Sequence, residues 1–190
     1  MDMTGVVLCG GAGTRMGRDK ALIEIGGKPL IRLIAERLTE CADPILLASG
    51  RRRRFGNLPY EEIADAAPGA GPISGLVAAL SASPHDLLAV AAVDMPFVNA
   101  EVFRLLSDRH TDEDAVVPVT HEGRQPLHAV YHRSALPHLA DALSRGRYGL
   151  REALAALDVR EVGREEWGAI DADGRFALNL NTQEDLRSLT

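Results

Sequence analysis

Cysteine is scarce in this 190-residue sequence: only Cys9 and Cys41 are present, far apart and with no CxxC pair. That spacing argues against a zinc site or a disulfide framework and fits a reducing compartment, so a cytoplasmic location is expected. No apolar stretch approaches the roughly 20 residues that a membrane helix needs, and the first residues lack a basic region followed by a hydrophobic signal core. The chain is therefore expected to act as written and away from a membrane. Positive charge is also in deficit, with 21 Lys and Arg against 27 Asp and Glu and a net charge of −6. A nucleic-acid footprint requires a basic surface that releases phosphate counterions, so no nucleic-acid partner is expected. No internal repeat is visible, and no linker rich in Pro, Gly or Ser.

What is present belongs to an ordinary globular protein: 46% apolar residues, 25% charged residues and a mean hydropathy near zero. A chain of this length suits one domain over residues 1–190, burying roughly 70% of its unfolded surface. Short apolar runs recur as "GVVLC" (5–9), "PILLA" (44–48), "DLLAVAAV" (86–93), "AVVPV" (115–119) and "LHAVY" (127–131). They read as strands. Helix-period segments lie between and after them, at about 29–41, 72–82, 99–109, 134–145 and 150–157. Continuous apolar strands alternating with helices predict an α/β fold with a mostly parallel sheet, buried on both faces by right-handed crossovers. Asn99 is placed to cap the helix that follows it, Gly71 and Pro72 suit a helix start, and Thr182 with Asp185 forms a capping-box pattern. Residues 158–176 show little periodicity.

The first strand runs into "VVLCGGAGTRMGRDK" (6–20), with Gly10, Gly11, Gly13 and Gly17 followed by basic residues. In an open α/β sheet, ligands bind beyond the carboxyl ends of strands, so this segment stands in the ligand position. Residues without Cβ let backbone N–H groups approach phosphate oxygens, and Arg15 and Lys20 supply countercharge. The segment has no GxxxxGK[ST] spacing, and the third glycine of GxGxxG is replaced by Met16, so neither common phosphate motif applies.

Asp94 ends the run "AVAAVDMPFV", which delivers a carboxylate to the same sheet edge. The helix-cap role there falls to Asn99, so Asp94 reads as a metal ligand. Mg²⁺, held by one or two carboxylates with substrate phosphates and water, suits it. Asp65, in "IADAAPGAGPISGL", reads equally as an exposed turn residue or as part of a site before a helix N-terminus. The run Arg51–Arg54 follows the second strand and reads as a solvated loop. Tyr131 and Trp167 read as core residues.

Together, "LCGGAGTRMGRDK", "DAAPGAGPISGL", "VDMPFV", "QPLHAVY" and "NLNTQEDL" resemble the molybdenum cofactor guanylyltransferases, from about residue 5 to 187. The resemblance implies a Rossmann-like nucleotidyltransferase fold on which MgGTP and molybdopterin meet. It implies that Leu8, Cys9, Gly10, Gly11, Lys20 and Asp65 contact the nucleotide and that Asp94 holds Mg²⁺. It places Arg15, Asn179 and Asn181 on the molybdopterin side, with Arg15, Lys20 and Asp94 as the catalytic set. Molybdoenzymes and other cofactor-biosynthesis proteins are the further partners it admits. Two positions depart from the family pattern: Ala48 and Ser49 stand where an asparagine is common, and Cys9 replaces the usual alanine. The paired Gly10 and Gly11 favour guanine over the cytosine of the related cytidylyltransferases, by leaving room for a purine. Two other functions stay open in the sequence: a cytidylyl or sugar-phosphate nucleotidyltransferase, and a nucleotide-binding accessory protein without catalysis.

Overall fold

The computed structural model describes residues 2–10, 19–51, 54–180 and 185. The apolar runs form strands because β-branched and aliphatic side chains fill both faces of a pleated surface. In chain order the elements are β1 (Met3–Leu8), β2 (Glu24–Ile25), β3 (Lys28–Pro29), α1 (Leu30–Leu38), β4 (Ile45–Ala48) and β5 (Glu61–Ile63). They continue with α2 (Pro72–Ala82), β6 (Leu87–Ala92), α3 (Ala100–Arg109), β7 (Ala115–Thr120), β8 (Gly123–Arg124) and β9 (His128–His132). The last are α4 (Ala135–Ser144), α5 (Leu150–Ala153), β10 (Val159–Val162) and α6 (Arg164–Trp167).

The main sheet has the order β10-β7-β9-β6-β1-β4-β5, with β8 on β7; β2 and β3 form a separate small hairpin. β1 lies parallel to both β4 and β6, β4 to β5, and β7 to β10. Leu8 is level with Ala48 on one side and Ala92 on the other, so the carboxyl ends of three strands share one edge. β9 runs antiparallel to β6 and β7. Only residues 121–127 separate it from β7, and a parallel crossover needs about a dozen or more.

Alternation along the central strands divides the core. Val7, Ala89 and Ala91 face α1 and α3, whose Ile31, Ile34, Leu38, Val102, Phe103 and Leu106 are buried against them. Val6, Leu88 and Val90 face α2, α4 and α5, through Ile73, Leu76, Leu80, Leu139 and Leu150. Each of the buried Val, Ile, Leu and Phe side chains contributes about 1.5–3 kcal/mol by leaving water, so both helical layers are held firmly to the sheet. Tyr131 and Trp167 belong to this core, and their polar atoms are paired: Tyr131 Oη donates to Pro126 O at 2.9 Å and Trp167 Nε1 to Val119 O at 3.1 Å.

Helix starts follow their local chemistry. Asn99 Oδ1 accepts from Glu101 N at 2.9 Å, and Pro72 opens α2 directly after Gly71. Thr182, the first half of the capping-box pattern, lies outside the described residues. Among the described residues no helix is long and apolar enough to cross a membrane.

Candidate active site

Where β1, β4 and β6 end together, a cavity of about 350 Å³ opens. Its floor is Leu8, Ala48 and Ala92 from the strand ends; Cys9 and Gly10 continue β1 into it, Asp65 and Pro72 come from the approach to α2, and Lys20 and Asp94 close one side. The register explains this convergence. A parallel strand must leave the sheet at its carboxyl end, so each connecting segment begins at the same edge.

Cys9 is buried, its N–H donates to Ala48 O at 2.9 Å and its Sγ donates to the same carbonyl at 3.2 Å. Burial pushes its thiol up to about 12, so at neutral pH it is uncharged and offers no nucleophile. Beside it, the missing side chain of Gly10 has a specific use. A Cβ there would stand 2.8 Å from Asp65 Oδ2 and 3.1 Å from Gly50 N. The space is therefore occupied by the Asp65 carboxylate, which refines the expectation that it serves a purine directly. Asp65 Oδ1 accepts from Gly50 N at 3.1 Å. Its carboxyl is raised from the usual range chiefly by burial, opposed by the Gly50 N–H and by the charge of Arg54.

Asp19 Oδ1 accepts from Ala21 N at 3.1 Å and caps a single 3₁₀ turn, Lys20–Leu22. That turn aims Lys20 across the cavity, where Nζ donates to Asp94 Oδ2 at 3.2 Å and to Leu180 O at 2.9 Å. Leu180 N in turn donates to Asp94 O at 2.7 Å. The Leu180 backbone thus bridges the lysine and the aspartate; Asn179, next to it in the chain, is not among the residues that line the cavity, and its Nδ2 donates to Ala177 O at 3.3 Å. Gly11, Arg15 and Asn181 lie outside the described residues.

Leu8, Cys9, Gly10, Lys20, Asp65 and Asp94 therefore share one cavity. Sequence reasoning missed Asp19, Arg54 and the Leu180 peptide. Asp19 had a readable signal, an acidic residue directly before a short turn; a backbone contact from near the chain's end has none. Of the arginine run, Arg51 is exposed, donating to Pro68 O at 3.3 Å, while Arg54 is turned inward, and Arg52 and Arg53 lie outside the described residues.

Among the described residues no three His, Cys, Asp or Glu side chains form a group that could hold a metal. A single half-buried carboxylate, Asp94, facing an open cavity matches the donor set of Mg²⁺, which takes its remaining oxygens from phosphates and water.

A cavity of this size at the carboxyl edge, a glycine-rich sequence after β1 and a Lys–Asp pair are the features of a nucleotidyltransferase of the α/β class. The MobA-like NTP transferase domain matches residues 5–162, and the chain belongs to that family. A probable molybdenum cofactor guanylyltransferase of Methanosarcina mazei is 36% identical, covering 97% of this chain and 88% of that protein. Another, of Pelotomaculum thermopropionicum, is 32% identical, covering 98% and 91%. The crystal structure of molybdopterin-guanine dinucleotide biosynthesis protein A from Archaeoglobus fulgidus superposes with a TM-score of 0.86 at 30% identity, covering 98% of this chain and 96% of that one.

Proposed function

We propose that this protein transfers GMP from MgGTP to the terminal phosphate of molybdopterin, with release of pyrophosphate. The reading is carried by Lys20 and Asp94 held 3.2 Å apart at the edge of the cavity that Cys9 and Gly10 also line. It is supported by the relatives whose names specify molybdenum cofactor guanylyl transfer over nearly the whole chain.

In this reading the acceptor phosphate attacks the α-phosphorus and pyrophosphate leaves in line. The attacking group is already an anion, so no side chain has to remove a proton from it. The protein's task is to hold two anions together and neutralise the charge that builds during transfer. Leu8, Cys9, Gly10 and Gly11 hold the nucleotide, and the Asp65 carboxylate accepts from base N–H donors. Lys20 leaves Asp94 and the Leu180 carbonyl for the triphosphate. Arg15 offsets repulsion between the substrates, while Asn179 and Asn181 meet the pterin side. Mg²⁺ on Asp94, when bound, supplies further positive charge to the phosphate oxygens.

Incubation of the protein with α-labelled GTP, Mg²⁺ and molybdopterin tests this. The label is expected in the pterin product; label that remains in GTP, or appears only in free GMP, would overturn the assignment.

A further inference from the structure

Arg54 stands last in a run of four arginines, where a solvated side chain would be ordinary. Its environment is not that of a surface charge. The guanidinium lies over the Phe55 ring at 4.9 Å from the centroid, Nη1 meets Asp19 Oδ2 at 2.5 Å, and Nη2 donates to the Cys9 carbonyl. Among the described residues, the buried Nε has no hydrogen-bond partner. The backbone is tied down as well: Arg54 N donates to Glu62 Oε2 at 2.7 Å and Oε1 at 3.0 Å, and Phe55 N to Glu62 Oε1 at 2.9 Å. The Arg54 N–H and Phe55 N–H help hold the Glu62 carboxyl below its usual range, against the opposing effect of burial.

The two acceptors of the guanidinium are not arbitrary. Cys9 directly follows β1, and Asp19 directly precedes the Lys20–Leu22 turn. One planar fork therefore joins the residues on either side of the glycine segment. Asp19 also uses its other oxygen to cap the turn that carries Lys20. A guanidinium reaches two diverging acceptors with fixed geometry, whereas an ammonium is a point charge on a flexible stem.

We infer that Arg54 is a positioning residue for triphosphate binding: by fixing Asp19 against Cys9 it holds the Lys20 turn in place, and so acts through Lys20. The inference rests on the reading of Lys20 as a triphosphate ligand.

The test is a set of variants, Arg54→Met, Arg54→Lys and Asp19→Asn, with Arg54→Met repeated in a Lys20→Met background. Binding of MgGTP and of GMP is measured by calorimetry, with kcat and KM for pyrophosphate release and thermal unfolding beside it. Loss of the charged hydrogen bonds in Arg54→Met is expected to weaken MgGTP binding about tenfold or more, and GMP binding much less. Asp19→Asn, which keeps the cap oxygen but loses the charge, is expected to shift binding the same way, and Arg54→Lys to recover it only in part. In the Lys20→Met background Arg54→Met should add almost nothing. An equal loss with and without Lys20, an equal loss for GTP and GMP, or full recovery in Arg54→Lys would overturn the inference. If Arg54→Met does not fold, Asp19→Asn alone and combined with Lys20→Met decides by the same criteria. Repeating the titrations with MgCTP separates the two readings: preference for CTP defeats the guanylyl assignment while the Arg54–Lys20 coupling is still read with that nucleotide. A wild-type protein that binds neither triphosphate defeats both.

Discussion

At the residue scale, Gly10 and Asp65 constrain each other. The Gly10→Ala methyl would enter within 2.8 Å of a carboxylate oxygen that is itself held by the Gly50 N–H. One of them must move. We expect Gly10→Ala to lower folding stability by about 1–3 kcal/mol, the cost of overpacking, and to weaken MgGTP binding by displacing the Asp65 carboxylate. Unchanged affinity in calorimetry would show that Asp65 is free to withdraw. Asp94 is the other decisive residue. It sits outside the buried core, so Asp94→Ala should leave the fold intact while reducing Mg²⁺-dependent turnover by on the order of 10²–10³. Near-normal turnover would remove it from the mechanism. Asp94 was legible because it ends an apolar run whose end the sheet fixes, and Lys20 because it closes the glycine segment; Asp65, after the polar strand β5, read equally as an exposed turn residue. Arg54 was not, since nothing in a string of arginines distinguishes the one that turns inward.

At the scale of elements, the buried strands announced themselves and the edge strands did not. β1, β4, β6, β7 and β9 are apolar because helices cover both faces. β5 reads Glu-Glu-Ile and β10 reads Val-Arg-Glu-Val, and each lies at an edge, where little burial demands an apolar run. The direction of β9 was equally hidden in its composition; it follows from the short connection to β7. The 150–157 segment, expected as one helix, is α5 followed by a 3₁₀ turn over Leu154–Ala156. The entry to α2 was visible in sequence, and its geometry gives a clean prediction. Gly71 has φ 74° and ψ −165°, a region essentially reserved for glycine. Among the described residues a Cβ there would meet only Tyr148 O, at 3.7 Å, so the cost of Gly71→Ala is torsional rather than steric. It should be roughly 1–3 kcal/mol in urea unfolding, and a wild-type midpoint would contradict the assigned backbone.

For the whole molecule, one buried base couples folding to acidity. His128 stacks on Phe103 with ring centroids 4.0 Å apart, and its Nε2 accepts from Asn99 N at 3.3 Å. Burial lowers its pKa from 6.5 to about 3. Between those values the unfolded chain binds the proton and the folded chain does not. Stability from this site is thus complete above pH 6.5 and falls as the pH drops toward 3, by up to about 1.4 kcal/mol per pH unit. Denaturant curves between pH 6.5 and 4 should be less pH-dependent in His128→Phe by about that amount. Parallel pH dependences would show that His128 is protonated in place.

The same scale sets the functional question. A chain with net charge −6 has no general attraction for anions, so any phosphate binding must come from local arrangement at the carboxyl edge. The most direct test is Mg²⁺-dependent pyrophosphate release from GTP and from CTP, with and without molybdopterin. Release that requires both GTP and molybdopterin is the predicted result. Release with CTP in preference, or GTP binding without release under any of these conditions, would contradict guanylyl transfer.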